Sequence, residues 1–382
     1  MKLGMTVKLQ IILASLFIFF VSQAQAVVEP TPPKIKAKAY ILVDYHSGKV
    51  IAEVNADQSV EPASLTKMMS VYVIDHELDS NRISLNDMVR ISTKAWKMPG
   101  SRMFVEVNSK VKVKDLMQGI IVQSGNDATV AMAEYVAGSE DSFVSLMNSY
   151  AKKLGMTHTH FANATGLPNK DHYTTARDLS KLVEAIIKEY PDHYAWYSEK
   201  VFTYNGIKQY NRNKLLWRDK YVDGVKTGHT ESAGFCLVAS AVKSDMRLIS
   251  VVLGTNSENA RATESQKLLT FGFRFYETHK LYQAKQKLTT AKVWKGATDF
   301  LPLGLSKDLW VTIPRGQYKN LKASMSIDPK IIAPVKQGMV YGSVNLDLDG
   351  DAFESRDLIS LQAIPEGGFF SGLVDDVKMM MQ

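Results

Sequence analysis

A single cysteine, Cys236, stands in the 382 residues, so no disulfide can close within the chain. It lies in the apolar run Gly234-Phe235-Cys236-Leu237-Val238-Ala239, which reads as a strand and makes the thiol a buried small hydrophobe. There is no dense Lys/Arg run and no stripe mixing basic with aromatic residues. The net charge of +7 is moderate for this length, so nucleic acid is not an expected partner. No H-E-x-x-H occurs: the eight histidines are scattered, and the close pair His158-Thr159-His160 reads as a solvated loop. No metal site and no cofactor is expected. No repeat of fixed period and no low-complexity tract appears. No apolar run reaches the ~20 residues that a spanning helix needs.

The N-terminus has a different purpose. Lys2 and Lys8 open it, residues 11–21 form an apolar core, and Ala24-Gln25-Ala26 gives a small-x-small cleavage site. Residues 1–26 therefore read as an export signal, with a mature chain from Val27 acting outside the cytoplasm. A composition of 45% hydrophobic and 22% charged residues is globular, and 382 residues are too many for one ordinary domain.

After the stiff linker Pro30-Thr31-Pro32-Pro33, the apolar runs 39–43 and 50–52 flank Tyr45-His46-Ser47-Gly48 as a hairpin. Residues from about 64 to 187 are mostly helical in pattern, with Gly138, Gly155 and Gly166 as stops. Runs 235–242 and 246–253 alternate around Lys243-Ser244-Asp245, and 268–276 is a last helix-periodic stretch. Strands, then helices, then strands predict an α+β domain whose antiparallel sheet joins distant parts of the chain. From about Leu281 short β-rich runs predict a small all-β domain without chemistry of its own. Residues 367–382 return to a helical pattern with Phe369, Phe370, Leu373, Val374, Val377, Met380 and Met381 on one stripe.

Three short motifs carry the chemistry. In Ser64-Leu65-Thr66-Lys67, Pro62 marks a helix start and the i, i+3 spacing puts hydroxyl and amine on one face. Serine attacks an amide only when a base takes its proton. Lysine serves if burial and a second cation lower its pKa from ~10.4. Ser124-Gly125-Asn126 sits between two apolar helical stretches, where a short loop can turn both polar side chains toward a cleft. Ser124 could relay a proton and Asn126 could hold the substrate amide; standing alone, the motif would favour an ordinary interhelical turn with Asn126 or Asp127 as cap. Lys226-Thr227-Gly228-His229-Thr230 reads as a strand at the sheet's rim. Gly228 would let an extended peptide pair beside it, Lys226 would supply the second cation, and Lys226 with Thr227 could hold a carboxylate. S-x-x-K, an S-D-N-type element and K-T-G in this order form the signature of class A β-lactamases and penicillin-binding proteins.

With these residues, and with Thr175-Ala176-Arg177-Asp178, Asn211-Arg212-Asn213, the run 268–277 and Ile313-Pro314-Arg315-Gly316, the sequence resembles the low-molecular-mass penicillin-binding proteins of the D-alanyl-D-alanine carboxypeptidase group over nearly its whole length. The resemblance implies a β-lactamase/transpeptidase-like catalytic domain over 34–280, a β-sandwich over 281–366 and an amphipathic membrane-anchoring helix over 367–382. The enzyme would sit on the periplasmic face of the inner membrane. It would trim the terminal D-alanine from peptidoglycan stem pentapeptides and be acylated by β-lactams. Ser64 would attack, Lys67 would be the base, and Ser124 and Asn126 would complete the cleft. Backbone amides of Ser64 and His229 would bind the oxyanion, and Arg212 and Arg261 would organise or bind the terminal carboxylate. A class A β-lactamase would need a deacylating glutamate, and the Glu-x-x-Leu-Asn context is absent. A non-catalytic wall-binding module would leave Ser64, Lys67, Ser124 and Lys226 without a purpose.

Overall fold

The computed structural model describes residues 30–368 and Asp375. Its centre is a five-stranded antiparallel sheet in the order Val50–Val54, Ala39–Asp44, Met246–Thr255, Gly234–Lys243, Val222–Thr230. The two hairpins expected from the sequence are present. Ala39–Asp44 pairs with Met246–Thr255 across some two hundred residues, so the sheet does join distant parts of the chain. Both faces of the sheet are covered, and alternation decides which core each side chain enters. Ile41, Val43, Val238, Ile249 and Val251 point into the helical lobe. Tyr40, Leu42, Leu237, Leu248 and Val252 meet Leu268, Leu269 and Phe271 of the helix Glu258–Phe275 on the other face. That helix starts ten residues before the expected Leu268, because Ser257 caps it by accepting from Ala260 N.

The helical lobe is built around Lys67–Asp79, whose Met68, Met69, Val71, Tyr72, Val73 and Ile74 are all buried. A helix apolar on every side belongs inside a bundle, here among Asn126–Ala137, Glu140–Lys153 and Ala176–Glu189. Gly138 and Gly155 follow helix ends with left-handed backbone, as expected. Gly166 does not stop a helix. It lies in a loop folded against the nucleophile turn, where a Cβ would sit 1.7 Å from the Ala63 carbonyl oxygen. Sequence patterning also passed over two small ribbons, Met88–Arg90 with Lys110–Lys112 and Val201–Tyr204 with Ile207–Tyr210.

The C-terminal domain is all β, with Tyr276–Tyr282 and Leu309–Pro314 forming one ribbon and six further strands a second sheet. Leu301, Leu303, Val311, Val344, Leu346 and Leu358 fill the space between them. The boundary expected at residue 280 falls inside the first of these strands. The export segment 1–26 lies outside the described residues, as does the tail apart from Gly367, Gly368 and Asp375.

Asp44 joins the two domains. Its Oδ1 accepts from the Ser47 N–H at 2.8 Å and closes the first hairpin, while Oδ2 accepts from Thr278 Oγ1 of the β domain at 2.7 Å. Ser47 and Thr312 hydroxyls share a hydrogen bond at 2.6 Å, and His46 stacks on Trp310 at 4.1 Å. Thr278→Val should destabilise the protein by about 1.5–3 kcal/mol, since it strips a buried carboxylate oxygen of its partner. Thr278→Ser should recover most of that loss. Urea unfolding midpoints of the three proteins check both.

Candidate active site

One cleft of about 420 Å³ gathers residues from both lobes: Ser64, Ser124 and Asn126 from one side, Thr227, Gly228 and His229 from the other, with Arg212 and Arg261 at one end. Lys67 and Lys226 are buried behind it. Every site residue expected from the sequence therefore lies in or directly behind this cleft.

Ser64 sits in the 3-10 turn Ala63–Thr66, and the α-helix proper begins at Lys67. The i, i+3 spacing brings Lys67 Nζ to 3.2 Å from Ser64 Oγ, and the same amine donates to the Thr165 carbonyl at 2.6 Å. Lys67 is wholly buried, and burial pushes its pKa down to about 7, helped by the Arg212 guanidinium and opposed by Asp127. Lys226 was the expected second cation. Burial drives Lys226 itself well below the lysine range first, and then Lys67, Arg212 and Arg261 push it further. Lys67 and Lys226 each disfavour the other's charge, and the Arg212 guanidinium weighs on both.

Ser124 closes the helical stretch before it in a left-handed conformation, φ 65°. Its hydroxyl and the Asn126 Oδ1 are buried with no partner among the described residues, while Asn126 Nδ2 donates to the Pro99 carbonyl at 2.6 Å. Buried polar atoms left open in this way are suited to a ligand's polar groups. Asp127 has a role that sequence patterning did not reveal. Its carboxylate accepts from Met103 N, Phe104 N and Val105 N, and so holds the loop that lends Gly100 and Ser101 to the cleft. A Cβ at Gly125 would meet that carboxylate at 2.9 Å, so the middle of this motif is kept small by Asp127.

Val222–Thr230 is the edge strand expected of the third motif. Gly228, however, makes room for the chain itself. A Cβ there would lie 3.0 Å from the Pro62 carbonyl oxygen and 3.3 Å from Ala63 Cβ. His229 stacks on Phe235 at 4.0 Å. Arg261 is buried in the first turn of Glu258–Phe275 and donates to the Gly228 carbonyl at 3.2 Å. Arg212 is exposed between buried Asn211 and Asn213; Asn213 donates to the Gly224 carbonyl at 2.9 Å and ties this loop to the edge strand. Glu258 also lines the cleft at the Arg261 end and pairs with Lys214 at 3.1 Å. Among the described residues no three His, Cys, Asp or Glu side chains converge as metal ligands.

Known proteins resemble this chain over most of its length. A family profile described as D-alanyl-D-alanine carboxypeptidase matches residues 26–257, and one described as the C-terminal domain of penicillin-binding protein 5 matches 276–366. The chain is 47% identical over 375 residues to the D-alanyl-D-alanine carboxypeptidase DacC of Escherichia coli, covering 96% of this chain and 94% of that protein. The solved structure of penicillin binding protein 5 from Haemophilus influenzae superposes with a TM-score of 0.86 at 43% identity, covering 88% of this chain and all of that one. Penicillin-Binding Protein D2 from Listeria monocytogenes, solved in its ampicillin-bound form, superposes on 64% of this chain and 100% of its own with a TM-score of 0.59 at 28% identity. With a family profile over residues 26–257, 47% identity across nearly the whole length and a superposable solved fold, the chain belongs to the D-alanyl-D-alanine carboxypeptidase family of low-molecular-mass penicillin-binding proteins.

Proposed function

We infer that the cleft removes the terminal D-alanine from peptidoglycan stem pentapeptides through an acyl-enzyme on Ser64. The observation that carries this reading is the buried amine of Lys67, 3.2 Å from the Ser64 hydroxyl with its pKa near 7, a base poised for neutral pH. Neutral Lys67 takes the Ser64 proton as Oγ bonds to the penultimate D-Ala carbonyl carbon. The backbone N–H groups of Ser64 and His229 receive the oxyanion. As the C–N bond breaks, the proton passes through Lys67 and Ser124 to the leaving amine, and free D-alanine departs. Water then attacks the ester and gives its proton to Lys67, which returns one to Ser64 Oγ. Asn126 holds the substrate amide. Thr227, Lys226 and Arg261, with Arg212 at the mouth, take the terminal carboxylate, whose charge restores a proton to Lys226.

Residues 1–26 serve export, 34–280 catalysis and 281–366 a stalk, and 367–382 attach the enzyme to the periplasmic face of the membrane. Among the described residues no helix is long and apolar enough to cross a membrane. A second reading of the tail has one observation in its favour: Asp375 accepts from the Lys295 backbone N–H at 2.7 Å, which fits a helix packed on the β domain.

Four measurements test these readings. Acylation by benzylpenicillin should fall about tenfold per pH unit below about pH 7, as Lys67 takes up a proton and loses its capacity as base. Lys67→Arg, which stays charged, should lose about 10²–10⁴-fold at every pH. A D-Ala-D-Ala pentapeptide should release D-alanine, and amidating its terminal carboxyl should cut kcat/KM sharply; equal rates on both would point to an endopeptidase-like site. A chain ending at Glu366 should leave the membrane fraction at low and high salt alike, whereas unchanged sedimentation would show that the tail is not the anchor.

A further inference from the structure

His172 is buried, and the reaction just described makes no use of it. The Ala162 N–H donates to its Nδ1 at 3.2 Å, so Nδ1 is the acceptor and the ring proton lies on Nε2. Nε2 in turn lies 2.8 Å from Thr66 Oγ1 and donates to it. One rigid ring thus links the loop that follows Phe161 to the residue immediately before Lys67. Phe161 holds the ring edge-on at 5.7 Å.

That loop is the cover over the base. The Thr165 carbonyl accepts from Lys67 Nζ at 2.6 Å, the Ala164 carbonyl accepts from Ser70 Oγ at 2.6 Å, and Gly166 presses on the Ala63 carbonyl with no room for a methyl group. Lys67 Nζ has its two hydrogen bonds to Ser64 Oγ and Thr165 O, so the loop fixes where the amine points and keeps water from it.

We propose that His172 is a positioning residue for Lys67: by accepting from Ala162 and donating to Thr66, it clamps the 161–167 loop onto the nucleophile turn and holds the Thr165 carbonyl against the amine. The proposal rests on the Ser64–Lys67 reading above. The clamp needs a neutral ring, since a proton on Nδ1 would face the Ala162 N–H. Burial keeps the ring neutral, pushing its pKa down to about 4 among His160, Glu61 and Lys67. Around Lys67 the charged groups are Arg212, Asp127 and Lys226. Loosening the loop hydrates the amine, and because burial is the largest cause of its lowered pKa, hydration moves that pKa up.

The test compares His172→Phe, which fills the space without either hydrogen bond, His172→Gln, whose amide can accept and donate, and Thr66→Val. The rate of Ser64 acylation by benzylpenicillin is followed from pH 5 to pH 9, beside pentapeptide kinetics and thermal unfolding. His172→Phe and Thr66→Val should each lower acylation and kcat by up to about 100-fold with KM little changed. Both should shift the acidic limb to higher pH, and His172→Gln should restore rate and limb together. A folded His172→Phe with the wild-type limb overturns the proposal, whether or not its rate falls, and so does failure of His172→Gln to restore it. Should His172→Phe not fold, Thr66→Val decides alone: an unmoved limb overturns the clamp, a raised one supports it. Failure of the underlying reading is separable, because wild-type protein would then not label on Ser64 or Lys67→Arg would retain activity.

Discussion

The Lys67 amine is held where water cannot solvate it, with a hydroxyl and a carbonyl oxygen as its hydrogen-bond partners. An ammonium in that position is costly, so the group gives up its proton near neutrality and becomes a base. Much of the molecule maintains this condition. A helix buried on every side carries the lysine into the lobe, the 161–167 loop covers it, and the sheet brings further cations up behind it. The acceptors in the cleft stay open at Ser124 and Asn126, where a peptide rather than the protein can complete them.

Steric limits hold the nucleophile turn as firmly as hydrogen bonds do. Residues 62–65 are wedged between Gly166 on the loop, where a Cβ would overlap the Ala63 carbonyl, and Gly228 on the edge strand, where one would press on the Pro62 carbonyl at 3.0 Å. Gly166 needs its freedom twice over, having φ +84° as well as a carbonyl against its α-carbon. Interiors packed this tightly do not deform continuously. The hydroxyl therefore keeps its place between the two lobes by packing, in a chain whose single cysteine allows no internal disulfide.

Much of this was legible in the sequence. Period-2 runs placed both hairpins of the sheet, and the three motifs named the residues that meet in the cleft, because those signals are local. What was not legible depends on contacts between distant segments. Gly166 looks like a helix stop in one dimension and is a packing requirement in three. Gly228 reads as room for a ligand's backbone, and it also packs against the Pro62 carbonyl. Asp127 looks like a helix cap, yet three backbone N–H groups more than twenty residues away converge on it. Arg212 adds its charge to that of Lys226 in the surroundings of Lys67, and no motif pointed to that effect. His172 carries no signal at all, being one scattered histidine whose partners are a backbone amide and a threonine.

The edge strand has a further consequence. An unpaired strand edge can template another chain's strand, and stable proteins shield such edges. Here the first half is already occupied: Asn213 takes the Gly224 carbonyl, and Tyr194 crowds the α-carbon of the same glycine. Only the stretch from Thr227 to Thr230 faces the cleft, with the helical lobe as its opposite wall. The open part of the edge thus lies inside a cleft rather than on an exposed face. Along this edge, what remains open is confined to four residues, too short a stretch to template a new sheet.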